Sequence, residues 1–218
     1  GNVGIGTTSP STQLHIENSG GNASAQLISG TSGTSFINMG DTGDADIGQI
    51  SYLNSANAMA FKTNATECMR ITSGGAVTKP LQPSFSVTPS GAQNNFSANS
   101  HITVVFATEV FDVGSNFASN TFTAPVTGKY QLNMKLDLQN IDTAADYYQY
   151  RITTSNRIYA NTFDPDFGDS DTVYHGVNLS VLADMDASDT AIVTIYQSGG
   201  TAQSDLGTGS SFNGILVG

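Results

Sequence analysis

Between Tyr130 and Leu138 a large apolar residue occupies every second position. Tyr130, Leu132, Met134, Leu136 and Leu138 alternate with Gln131, Asn133, Lys135 and Asp137. A period of two puts the first set on one face of an extended strand and the second on the other. This segment therefore predicts a strand with one buried and one wet face. Val177, Leu179 and Val181 repeat the pattern against Asn178 and Ser180, and Ala191, Val193 and Ile195 repeat it against Ile192, Thr194 and Tyr196. Ile102 to Phe106 and Ile215 to Val217 are continuous apolar runs, as strands buried on both faces are. No stretch carries apolar residues at helical spacing. The expected fold is all-β, with residues from about 84 to 218 forming an antiparallel sandwich or barrel.

The front of the chain has another texture. Short apolar pairs (Leu14/Ile16, Leu27/Ile28, Phe36/Ile37, Ile50/Tyr52, Met59/Phe61, Met69/Ile71) stand between Gly, Asn and Ser. Each predicts a strand of about three to five residues bounded by turns. Only eighteen residues of 1–79 are large and apolar, too few for an independent core. Surface that one chain cannot enclose is covered by copies of itself, so this part predicts an oligomer. Lys79-Pro80-Leu81-Gln82-Pro83 reads as a joint, because the two prolines hold the chain extended. The expected organisation is a segment of short strands over 1–79 and a sandwich domain over 80–218.

Charge narrows the function. Seven Lys+Arg against eighteen Asp+Glu leave a formal net charge of −11. Nucleic-acid binding needs clustered cations against phosphates, so no nucleic-acid partner is expected. No run of about 18 apolar residues exists, so no membrane insertion is expected, and no charged-then-apolar leader is visible. Cys68 is the single cysteine. It can form no intrachain disulfide and no cysteine-based metal site, and is expected to serve as a small buried hydrophobe.

Two groups carry possible chemistry. Tyr147, Tyr148 and Tyr150, with Arg157 and Tyr159, form the aromatic-rich part of the domain and are the candidate ligand-binding residues. Aromatic faces stack on sugar C–H bonds, while nearby polar groups satisfy hydroxyls. The plainer reading turns alternate tyrosines to the core or to a subunit seam. Asp164, Asp166, Asp169 and Asp171 form the densest carboxylate group and are the candidate metal ligands, with calcium as the one cofactor considered. They lack a twelve-residue calcium loop with its terminal Glu, and a solvated acidic loop is the alternative. Asp184, Asp186 and Asp189 read as a polar turn, and Arg151 and Arg157 as partners of carboxylates. No carboxylate pair stands out for glycoside hydrolysis. His15, His101 and His175 sit in no catalytic phrase, and the Gly-rich phrases lack the basic partner of a phosphate cradle. The chain is expected to be no enzyme.

Two resemblances sharpen these expectations. Gly1 to Pro10 (GNVGIGTTSP), and the phrase from Asn64 to Val77 (NATECMRITSGGAV), resemble shaft segments of bacteriophage tail fibres. There an "MRI-S-G-x-V" phrase leads into "GIGTTSP", and the reversed order here suggests a chain cut inside a repeating unit. Phe111-Asp112, then Phe117, then Phe122-Thr123-Ala124-Pro125-Val126-Thr127-Gly128-Lys129-Tyr130, resembles the central signature of the C1q domain. Ser211-Phe212-Asn213-Gly214-Ile215-Leu216-Val217 is similar to that family's closing strand, and Leu182 with Ser188-Asp189-Thr190-Ala191-Ile192-Val193 to one of its strand beginnings, Ser188 standing in place of a glycine. Leu132 and Met134 stand where the family has aromatics, and the spacing from Phe117 to Phe122 is short. The C1q resemblance implies a ten-stranded jelly roll assembled as a homotrimer, and in some members calcium near the apex. The fibre resemblance implies a virion protein, partnered by the rest of the tail fibre, that attaches to a bacterial surface glycan or protein receptor. A head that only locks the trimer, and a spike that degrades polysaccharide, are the alternatives.

Overall fold

Every regular element among the described residues, 1–168 and 170–218, is a strand. The computed structural model divides the chain into two units, Gly1–Pro80 and Leu81–Gly218.

In the first unit β1 (Val3–Ile5) pairs in parallel with β2 (Leu14–Ile16). Then β3 (Thr34–Met39), β4 (Gly48–Leu53), β5 (Ala58–Thr63), β6 (Thr66–Ile71) and β7 (Val77–Thr78) run as an antiparallel meander. The β5–β6 hairpin turns on Asn64 and Ala65, both at positive φ (50° and 57°), as a tight two-residue connection matching strand twist requires. This sheet has nothing of its own to pack on. Ala58 and Ala60 are its only buried apolar residues, whereas Phe36, Ile37, Met39 and Met59 are exposed. Cys68 accordingly differs from the expected buried hydrophobe: it is half-buried, with Sγ 3.0 Å from Thr63 Oγ1, because no core surrounds it.

In the second unit the strands are β8 (Ser84–Thr88), β9 (His101–Thr103), β10 (Thr108–Val113), β11 (Phe117–Ala118), β12 (Thr121–Thr123), β13 (Gly128–Ile141), β14 (Ala145–Thr154), β15 (Ile158–Phe163), β16 (Thr172–Met185), β17 (Thr190–Gly199), β18 (Asp205–Leu206) and β19 (Ser211–Leu216). They form two antiparallel sheets. One has the order β10-β8-β19-β13-β16, with β18 on β13. The other has the order β11-β12-β17-β14-β15, with β9 on β17. Neighbours distant in sequence, such as β8 beside β19 and β12 beside β17, make this a jelly-roll sandwich rather than a meander.

The alternation of β13 sets the core. Tyr130, Leu132, Leu136 and Leu138 are fully buried and face β14 and β17, which contribute Tyr148, Ile152, Val193 and Ile195. Phe85 sits at the centre, stacked 4.6 Å from Phe122 and 5.3 Å from Phe117, with Phe212 edge-on at 5.0 Å. Gly214 makes that ring possible, since a Cβ there would stand 2.7 Å from both Phe85 and Leu132. The run Ile102 to Phe106 departs from the expected doubly buried strand. Regular pairing ends at Thr103; Val104 and Phe106 point inward, and Val105 is exposed.

The outward face of the first sheet is polar in its middle. Gln131 Nε2 donates to Ser180 Oγ (2.9 Å), Ser180 Oγ to Asn133 Oδ1 (2.6 Å), and Asn133 Nδ2 to Asn213 Oδ1 (3.1 Å). Phe111, Leu182 and Ile215 stand exposed on the same sheet.

Candidate functional site

The five candidate ligand-binding residues do not form one patch. Strand alternation turns Tyr148 and Tyr150 inward with Ile152, where they are buried. Tyr148 is a structural node: its hydroxyl accepts from the Asp142 backbone N–H (3.0 Å) and bonds Ser204 Oγ (2.6 Å). Burial pushes its pKa up. Tyr159 lies opposite Ile152 and packs partly buried against the core, which raises its pKa too. Arg157 closes the turn after β14, and its Nη2 pairs with Asp184 Oδ2 at 3.0 Å. Tyr147 faces the opposite side and is exposed.

There Tyr147 meets residues that its neighbours in sequence did not suggest. Its ring stacks 5.9 Å from Tyr196, and Tyr196 lies 4.8 Å from the ring of His101. Register explains the meeting, because Tyr196 pairs with Gln149 on one side and with His101 on the other. Gln149 accepts from Arg151 Nε and donates to Thr162 Oγ1. The signal that could have found Tyr196 was the alternation of β17 itself, which puts Thr194 and Tyr196 opposite Val193 and Ile195.

The described carboxylates of the acidic loop, Asp164 and Asp171, bond to separate partners. Asp169 lies outside the described residues. Asp164 accepts from the Asp166 backbone N–H. Asp171 accepts from the backbone and hydroxyl of Thr143 and from Gln203 Nε2, and these bonds hold its pKa below the ordinary carboxylate value. Among the described residues no three acidic, histidine or cysteine side chains converge. Asp186 and Asp189 close the β16–β17 turn: the Asp186 backbone N–H donates to the Asp189 carboxylate, and the Asp189 backbone N–H to the Asp186 carbonyl.

A second aromatic group lies at β15 and β16. Phe163 stacks on Tyr148 at 5.2 Å and sits 4.6 Å from His175, and exposed Phe167 caps both. Burial lowers the pKa of His175, and burial together with the charge of Arg151 lowers that of His101. A histidine depressed in the folded state binds fewer protons there than when unfolded. The stability it contributes is complete above its ordinary pKa of 6.5 and is lost as pH falls toward the folded value. The urea midpoint is expected to drop between pH 7.5 and 5.5, and His175→Gln is expected to flatten that slope. The lowered carboxylates Asp171 and Asp184 act only below their ordinary value of 3.8, outside this window.

These elements define an antiparallel all-β jelly roll. Solved structures similar to it include the globular domain of zebrafish complement 1qA protein, at 19% identity over 63% of this chain and 98% of that one, with a TM-score of 0.47. Murine APRIL is similar at pH 8.0, with 11% identity over 62% of this chain and 99% of that one and a TM-score of 0.47. At pH 8.5 the corresponding values are 10%, 62%, 99% and 0.45. No protein-family model matches the chain, and no curated protein does.

Proposed function

We propose that this chain is the tip of a homotrimeric viral tail fibre. Residues 1–79 would form shaft, and residues 80–218 a head that attaches to a bacterial surface glycan. The observation that carries this reading is the missing core of the first unit. A five-stranded meander with Phe36, Ile37, Met39 and Met59 exposed, and only two alanines buried, leaves apolar surface for copies to cover. Closed cyclic symmetry covers such surface without leaving an open end. The exposed Phe111, Leu182 and Ile215 extend the same argument to the head. Three equivalent weak sites on one tip would raise effective affinity by about 10²–10⁴ without any new contact.

The test is mass in solution. Light scattering of the purified chain at micromolar concentration is expected to give three times the 22.7 kDa chain mass. A well-folded particle of single-chain mass would overturn the proposal. Adhesion to bacterial cells, blocked by their purified surface polysaccharide, is the second readout. A trimer that adheres to nothing would favour a head that only locks the assembly, and loss of polymer mass during incubation would favour a degrading spike.

A further inference from the structure

We propose that the outward face of β9, β17 and β14 is a saccharide platform, on which Tyr147, Tyr196 and His101 pack against a sugar ring and Arg151 takes the carboxylate of an acidic sugar. This rests on the attachment reading above and gives it a place and a ligand class.

Three rings lie in an unbroken row on a solvent-facing sheet surface, each within 6 Å of the next. Solvent-facing sheet positions ordinarily carry polar side chains, so adjacent aromatics there mark a contact surface. Tyr147 and His101 are exposed and Tyr196 is half-buried, which leaves ring surface accessible while the sheet fixes its position. Aromatics with few rotatable bonds lose little freedom on binding. Gln149 and Thr162 supply amide and hydroxyl groups beside the rings.

Charge selects the class of sugar. Residues 81–218 hold two arginines. Arg157 is matched by Asp184, whereas Arg151 bonds only the side-chain oxygen of Gln149 and meets no carboxylate among the described residues. A guanidinium is a planar fork suited to a carboxylate, and an unmatched one in so acidic a chain is a local attraction for an anion. One such fork fits one carboxylate; a polyphosphate chain would need several cations. His101, whose pKa is lowered by partial desolvation and by the charge of Arg151, offers a ring rather than a competing charge.

The experiment uses the full chain and the variants Arg151→Gln and Tyr147→Ala. Binding is measured on oligomers of galacturonic, glucuronic and N-acetylneuraminic acid, each beside its carboxyl-reduced counterpart, and adhesion on a panel of bacterial strains. The unaltered chain is expected to bind an acidic oligomer and to lose tenfold or more when the carboxyl is reduced, which corresponds to about 1.4 kcal/mol. Arg151→Gln is expected to erase that preference and reduce adhesion. Tyr147→Ala is expected to weaken acidic and reduced forms alike, with particle mass unchanged in both variants. Adhesion equal in all three proteins would overturn the site and leave the attachment reading standing. Variants with altered mass would make the patch a subunit seam and overturn it as well. An unaltered chain that adheres to no strain and no oligomer would remove both.

Discussion

Phe85→Ala is expected to destabilise residues 81–218 by about 3–5 kcal/mol, the usual range for a buried phenylalanine truncated in a core. Its ring is the meeting point of both sheets: it stacks on Phe117 and Phe122 from one and meets Phe212 of its own. No neighbour can swing in to fill the space. Phe122, Phe212 and Leu132 are themselves fully buried, and across the ladder stands Gly214, which has no side chain to offer. Against a total domain stability of about 5–15 kcal/mol, the loss is a large fraction of the whole. Urea unfolding followed by near-ultraviolet circular dichroism measures it, with both proteins at one concentration because association adds to apparent stability. A midpoint shift worth less than about 1 kcal/mol would show that Phe85 is not the hub of this core.

The second large effect is expected at Asp142, a carboxylate enclosed at the turn between β13 and β14. It accepts from the backbone N–H and hydroxyl of Thr201 and from the backbone N–H of Ala144. Its own N–H reaches the Tyr148 hydroxyl, which continues to Ser204. The carboxylate therefore ties the β13–β14 turn to the loop after β17. Gly200 gives it room, at positive φ and with a Cβ position that Asp142 Oδ2 would crowd at 2.4 Å. Asp142→Ala leaves several donors without a partner at once, at a cost of about 3 kcal/mol. Asp142→Asn keeps one acceptor oxygen and is expected to cost about half as much. Thermal unfolding of the two variants checks both size and order; an alanine variant as stable as the asparagine variant would remove the carboxylate from this role.

Much of the sandwich was legible in advance because strand faces repeat every two residues. Tyr130 to Leu138, Val177 to Val181 and Ala191 to Ile195 all lie on the strands and faces that their alternation implies. Ile102 to Phe106 misled because a continuous apolar run looks the same whether or not it pairs; here Val104 and Phe106 are buried beyond the end of the ladder. The candidate ligand residues were drawn together by closeness along the chain, whereas a strand sends neighbours to opposite sides. Tyr147 and Tyr148 are adjacent in sequence and yet one meets solvent and the other the core. Tyr196 and His101 could be joined to Tyr147 only by the pairing of β9, β17 and β14, and register between distant strands is not written in any local pattern. Composition alone picks out the acidic loop, and composition says nothing of where each carboxylate points.

The amide and hydroxyl ladder of Gln131, Ser180, Asn133 and Asn213 bears on how such subunits would come together. Over the middle of that face a newly made copy shows water a hydrated lattice rather than oil, so it can stay dissolved while searching for its companions. Misaligned docking would strand donors and acceptors without mates, whereas one alignment lets them all be matched. Grease at the margins would then supply the glue, and the amides the key.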